Sequence, residues 1–165
     1  MNETERWALP LLEAGQAQKE LWHNEALARL DLLTQAAVEA VGVSDPPAAP
    51  APGQAWIVGA APTGAWAGQA GAVAGWTAGG WRFVAPREGM TAWSVADECP
   101  TTFTRGGWQV GRLAARSIEI GGEQVLGARR PAIAAATGGG TVDVEARAAL
   151  AQMLGALREH GLIAR

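Results

Sequence analysis

Between Gln54 and Gly127 the chain is cut by turn signals set too close together for helices to form. They are Pro62-Thr63-Gly64, Ala78-Gly79-Gly80, Pro86-Arg87-Glu88-Gly89, Arg105-Gly106-Gly107 and Gly121-Gly122. Glycine supplies backbone angles that other residues avoid and proline presets the bend, so each cluster ends a regular element. The runs left between them are strand-sized: Ala55–Val58, Ala70–Thr77, Gly80–Val84, Met90–Val95, Thr101–Thr104, Trp108–Gly111, Ser117–Ile120 and Gln124–Leu126. Strands this short, with no room for crossover helices, predict an antiparallel meander or small barrel and exclude a βαβ fold. The region also echoes itself. Gly79-Gly80-Trp81-Arg82-Phe83 and Gly106-Gly107-Trp108-Gln109-Val110 each place a tryptophan directly after a Gly-Gly turn, a hairpin device used twice.

Helical patterns flank this module. Leu27, Leu30, Leu33, Ala37, Val38 and Val41 recur in steps of three and four, so Leu9–Val41 predicts one long helix that stops at Gly42. About 25 helical residues would span roughly 37 Å, long for a packing helix in a small protein; self-association is the preferred reading, and a helix lying on its own β domain is the other. Pro46-Pro47-Ala48-Ala49-Pro50-Ala51-Pro52 then reads as a semi-rigid polyproline spacer. Near the other end, Thr141 caps a second helix whose apolar stripe is Leu150, Met153, Leu154 and Leu157, closed by Arg158, His160 and Gly161. The expected fold class is α+β: a long N-terminal helix, a small antiparallel all-β module and a C-terminal helix. The expected segments are 1–42 for attachment or oligomerisation, 43–53 as linker, 54–127 as the Trp-rich β domain, 128–140 as a Gly-rich linker and 141–165 as the terminal helix.

Composition removes several function classes. The 165 residues carry a net charge of −3 with 18% charged and 48% apolar residues. A weakly acidic chain has no basic stripe with which to release counterions from phosphates, so nucleic acid is not an expected partner. No run of eighteen apolar residues occurs, so no membrane insertion is expected. One cysteine, Cys99, precludes an intramolecular disulfide, and with only two histidines, His23 and His160, little is left for a metal. No cofactor is expected.

Catalytic material is equally thin. His23 and Glu25 flank Asn24 on a predicted helix, where neighbouring side chains diverge too far to act as a dyad. Cys99 follows Asp97-Glu98, whose carboxylates would raise a thiol's pKa, the opposite of what a nucleophile needs. Glu88 with Asp97 or Glu98 would serve a glycosidase only at a separation of roughly 5–9 Å, which sequence does not establish. Gly138-Gly139-Gly140-Thr141 lacks the Gly-Lys-Ser/Thr ending of a phosphate loop and reads as a joint followed by a cap. The expectation is a protein that is not an enzyme.

The tryptophans carry the open question. There are eight, with no tyrosine and two phenylalanines. With so few other large rings available, core packing is the commonest role; interface contacts and stacking on sugar faces are the others. Trp66, Trp76, Trp81 and Trp108 are the candidates for glycan or partner binding.

The stretch Leu9-Pro10, Ala14-Gly15-Gln16-Ala17-Gln18-Lys19, His23-Asn24-Glu25-Ala26-Leu27 and Leu30-Asp31, followed by a Pro-rich segment and Trp56-Ile57-Val58, resembles phage-type structural proteins of prophages and gene transfer agents, in tail-fibre or head-spike genes. Gly64-Ala65-Trp66-Ala67-Gly68, Gly80-Trp81-Arg82-Phe83, Pro86-Arg87-Glu88-Gly89 and Val95-Ala96-Asp97-Glu98 extend the resemblance to about Trp108. It implies that the N-terminal helix serves attachment or assembly. The implied interface residues are Gln16, Gln18, His23, Leu27 and Leu30, with Leu150, Met153 and Leu157 in the second helix. With no repetitive shaft and no receptor-binding tip in sight, the expected part is the base of a head spike or a tail-fibre adaptor, a homo-oligomer (trimer or pentamer). Its partners would be a capsid or tail protein, a spike or fibre protein and host polysaccharide. It would be made in the bacterial cytoplasm and assembled into a virion-like particle. The alternative is a carbohydrate-binding module that contacts host surface polysaccharide through its tryptophans.

Overall fold

The computed structural model describes residues 2–15 and 18–164. They form two compact units, Met1–Leu113 and Ala114–Arg165.

The first unit begins with a strap, residues 2–12, and a helix, α1 (Lys19–Leu33). Two very short strands follow, β1 (Ala37–Val38) and β2 (Val41–Val43), then β3 (Ala55–Val58), β4 (Val73–Thr77), β5 (Gly80–Val84), β6 (Thr91–Ser94), β7 (Cys99–Thr104) and β8 (Gly107–Val110). They make two four-stranded sheets, ordered β2-β3-β4-β5 and β1-β6-β7-β8. Each sheet is built alike: a short edge strand runs parallel to its neighbour, and a three-stranded antiparallel meander completes it.

The long N-terminal helix is corrected. Helix α1 has 15 residues, about 22 Å, and it ends before the strands that carry Ala37, Val38 and Val41. Gln35 adopts φ 47, which turns the backbone out of the helix. Those apolar positions satisfy a helical period on paper, but in the fold they are strand residues. Val38 is buried in the first core with Leu32, Ala36, Ala55, Ile57, Val73 and Ala92. The connector after Gly42 is likewise no free spacer. Thr63 N–H donates to the Ser44 carbonyl at 2.9 Å and Gly53 N–H to the Trp76 carbonyl at 2.8 Å, so both of its ends are pinned to the sheet. Helix, connector and the strands as far as β8 share one unit.

β3 is buried at all four residues because both faces of its sheet are covered. Alternation sends Ala55 and Ile57 towards Leu32, Val38 and Ala92, and sends Trp56 and Val58 into a second core with Trp66 and Ala74. The Gly-Gly-Trp echo appears as two matched hairpins. Thr77 pairs with Gly80 and Trp76 with Trp81 in one; Thr104 pairs with Gly107 and Phe103 with Trp108 in the other. The cross-strand rings lie 4.9 and 5.6 Å apart, edge to face in both.

The second unit holds a hairpin, β9 (Ile118–Ile120) with β10 (Glu123–Leu126), and a helix, α2 (Val144–Glu159). Gly121 and Gly122 have φ 61 and 84, the paired positive angles a two-residue hairpin turn requires. Asp143, and not Thr141, caps α2: its Oδ1 accepts from Ala146 N–H at 2.8 Å. The helix closes at His160 with Gly161 at φ 72, as the sequence pattern predicts. None of its residues is buried, and no helix is long and apolar enough to cross a membrane among the described residues.

Candidate functional site: the helix clamp and its outward face

The densest polar constellation lies where the strap meets α1. Asp31 is 2% exposed. Its Oδ1 accepts from Thr4 Oγ1 and Trp7 N–H, both at 2.8 Å, and its Oδ2 accepts from Arg6 N–H at 2.9 Å. The last turn of α1 has no basic residue of its own. Arg6 fills that role from the strap, donating to the carbonyls of Asp31, Leu32, Thr34 and Gln35 at 2.7–3.3 Å. These are the carbonyls a helix end leaves without partners. Trp7 Nε1 adds a bond to Thr34 O at 2.9 Å. One turn and more upstream, Asn24 binds the strap in both directions: Leu12 N–H donates to Asn24 Oδ1 at 2.9 Å, and Asn24 Nδ2 donates to Leu12 O at 3.0 Å.

Glu25 fastens α1 to the sheet. It meets Arg82 Nε of β5 at 2.6 Å and Arg29 Nε at 2.9 Å. Burial pushes its carboxyl up, but the hydrogen bonds and charges of Arg82 and Arg29 outweigh that and hold it below the usual carboxylate range. A carboxyl lowered in the folded state contributes stability above its unfolded pKa, roughly 4.3, and that contribution fades as pH falls through the folded value. Glu25→Gln should therefore lose about 1 kcal/mol or less at pH 7. Urea midpoints of the two proteins should converge as pH falls through the range where Glu25 takes up its proton; a gap that persists in acid would exclude the ion pairs as its source.

The polar residues of the His23-Asn24-Glu25…Asp31 stretch thus divide. Asn24, Glu25 and Asp31 point inward or sideways as fasteners of the fold. His23 faces out, with Nδ1 2.9 Å from Lys19 O. Of the predicted interface residues, Gln18, Leu30, Leu150 and Met153 are exposed, whereas Leu27 and Leu157 are half-buried. Gln16 lies outside the described residues. Leu30 and Met153 are 54% and 61% exposed. Sequence reading missed Leu21 and Trp22 on the same helix; Trp22, at 79%, is the most exposed tryptophan.

The predicted tryptophan platform is corrected at Trp66. It sits in a single 3₁₀ turn, Gly64–Trp66, and is wholly buried, so neither ring face is open to a sugar. Its ring lies 5.1 Å from Trp81 and 6.2 Å from Trp56, and Trp81 lies 4.9 Å from Trp76 and 6.5 Å from Phe83. Trp76 and Trp81 are half-buried in this stack. Trp108, also half-buried, spends its Nε1 on the Gly71 carbonyl at 2.8 Å. The rings left open are Trp7, Trp22 and Trp93.

Two of the acidic residues weighed for catalysis, Glu88 and Asp97, hold turns. Glu88 accepts from Thr104 Oγ1 at 2.6 Å and from Arg105 N–H, and Asp97 accepts from Ser94 Oγ at 2.6 Å. Cys99 is a free, half-buried thiol. Gly138 O accepts from Arg147 Nη2, which folds the glycine-rich segment against α2. Among the described residues no group of three or more His, Cys, Asp and Glu is placed to hold a metal ion.

The chain thus folds as a strapped helix fastened to a pair of meander sheets. Residues 23–109 match the family described as "Protein of unknown function (DUF2793)", and the chain belongs to that family. The matched span runs from the clamp helix through β8 and takes in both sheets. No curated protein matches the chain.

Proposed function

We propose that the protein is a homo-oligomeric structural part of a virion-like particle, the base or adaptor of a head spike or tail fibre. One side would dock on a capsid or tail protein and the other would receive a receptor-binding fibre. The observation that carries the reading is the exposure of large apolar side chains, Trp22 above all, on α1. Leu21, Trp22 and Leu30 are exposed on a helix whose Asn24, Glu25 and Asp31 are taken up by the strap and β5, with Lys19, His23 and Arg29 exposed beside them. Large apolar side chains left exposed on a helix that is fastened elsewhere along its length are suited to burial against another surface. The second unit supports the same reading. Among its described residues Ile163 is the buried apolar side chain, whereas Ile120, Val125, Leu150 and Met153 are exposed. So small a core gives little independent stability, and a neighbouring subunit would supply the missing contacts.

Substitution is the suitable probe, because removing residues 1–42 would also remove β1 and β2 from their sheets. The purified protein should give a discrete oligomer by light scattering. Trp22→Glu combined with Leu30→Glu should shift it to monomer without loss of the folded circular dichroism signal. A wild-type monomer at every concentration tested would defeat self-assembly. Glycan contact, the second reading, would rest on the open rings of Trp22 and Trp93.

A further inference from the structure

The second unit carries an open cleft of about 770 Å³ that the assembly reading does not use. Its charged lining is Arg116, Arg129 and Arg130, with no carboxylate among the lining residues. Arg129 Nε donates to Ile163 O at 3.0 Å, which leaves its terminal nitrogens free of that bond. Arg130 is fixed by its backbone: its N–H donates to Leu162 O at 2.9 Å and its carbonyl accepts from Ala164 N–H at 2.8 Å. Among the described residues the side chains of Arg116 and Arg130 have no hydrogen bond or ion pair within the chain. Three guanidinium groups around one cleft repel one another and lower their energy on meeting anions, carboxylates above all.

Residues 124–128 form one wall, which includes the end of β10. β10 pairs with β9 alone among the described strands, so its other edge presents backbone donors and acceptors without a partner strand. Leu126 and Leu162 add apolar surface. An open strand edge, apolar contacts and arginines in one cleft match an extended acidic peptide. The edge supplies the ladder, alternate side chains reach the arginines, and the rest lie on the leucines. A polysaccharide would satisfy the charges but not the spacing of a strand edge.

We propose that this cleft is a docking site for an extended, acidic segment of a partner protein, added to the β10 edge with its carboxylates on Arg116, Arg129 and Arg130. The proposal does not rest on the assembly reading and stands or falls without it. The test uses the full chain and a fluorescein-labelled ten-residue peptide of alternating Glu and Val, followed by anisotropy. Binding should weaken at least tenfold in Arg116→Gln/Arg130→Gln, and as much when the peptide's Glu residues become Gln. A peptide of alternating Glu and Pro, with the same charge but no N–H at alternate positions, should also bind at least tenfold more weakly. Arg116→Gln alone, at a side chain with no hydrogen bond or ion pair among the described residues, should weaken binding severalfold and serves if the double variant does not fold. No binding of the Glu-Val peptide at millimolar concentration, equal binding by the variants, or equal binding of the Glu-Pro peptide would overturn the proposal. So would tighter binding of polygalacturonate than of the peptide.

Discussion

Asp31→Ala should destabilise the Met1–Leu113 unit by about 3–5 kcal/mol, read as a shift in the urea midpoint. The carboxylate receives three hydrogen bonds from Thr4, Arg6 and Trp7. Its loss leaves a buried hydroxyl and two part-buried backbone N–H groups without their acceptor, and each orphaned donor costs on the order of 1–3 kcal/mol where water does not replace the carboxylate. The strap should then release, and residues 2–12 should become sensitive to limited proteolysis while the sheets stay folded. Thr4→Ala should cost much less in the Asp31→Ala background than in the wild type, because the two groups share one bond. Fully additive losses would show that the strap contributes through other contacts. Glu13→Ala, at an exposed position, should stay within about 0.5 kcal/mol.

The second large effect is expected where α1 lies on β4. A Cβ on Gly75 would come within 2.3 Å of Leu32 Cδ2 and 2.4 Å of Cδ1, and Leu32 is 2% exposed. Gly75→Ala forces one of them to move, at a cost of about 1–3 kcal/mol for overpacking. Leu32→Ala removes the filler and should cost about 2–5 kcal/mol. The pair has a distinctive signature. Gly75→Ala/Leu32→Ala should be less destabilised than the sum of the two by about 1 kcal/mol or more, since the new methyl occupies part of the vacated space. Strict additivity in denaturant midpoints would mean that the sheet shifts as a body and that this close approach does not position the helix.

The parts of the fold visible in the sequence are those set by local chemistry. The Gly-Gly and Arg-Gly turns mark the hairpins because a backbone reversal is written in the few residues that make it. β1 and β2 are invisible for the converse reason. A strand of two or three residues has no period of its own; Ala37 and Val38 become strand by meeting Trp93 and Ser94, and Val41 by meeting Ile57. Their spacing fits a helical stripe equally well, which is why the helix is predicted too long. The clamp is hidden too. Asp31 lies among apolar residues in a helical stretch, and nothing near it says that Thr4 and the Arg6 backbone complete its shell. Core packing is the commonest expectation for a tryptophan, and Trp56 and Trp66 meet it. Which rings stay open depends on the loop that carries Trp66 under β3, a long-range fact. Trp22 and Trp93 therefore give no sequence signal that separates them from the buried ones.

The strap also sets an order of events during synthesis. Its residues are made well before a partner they meet: Glu5 Oε1 accepts from Ala78 N–H, 73 residues later in the chain. At about 5–20 residues per second, the ribosome needs roughly 4–15 seconds to reach that partner. β1 waits longer, since its register runs to Trp93 and Ser94. The strap is thus completed late, after the hairpin that receives it has emerged, and a nascent chain halted before Ala78 holds the strap on α1 without its bond to the β4–β5 turn.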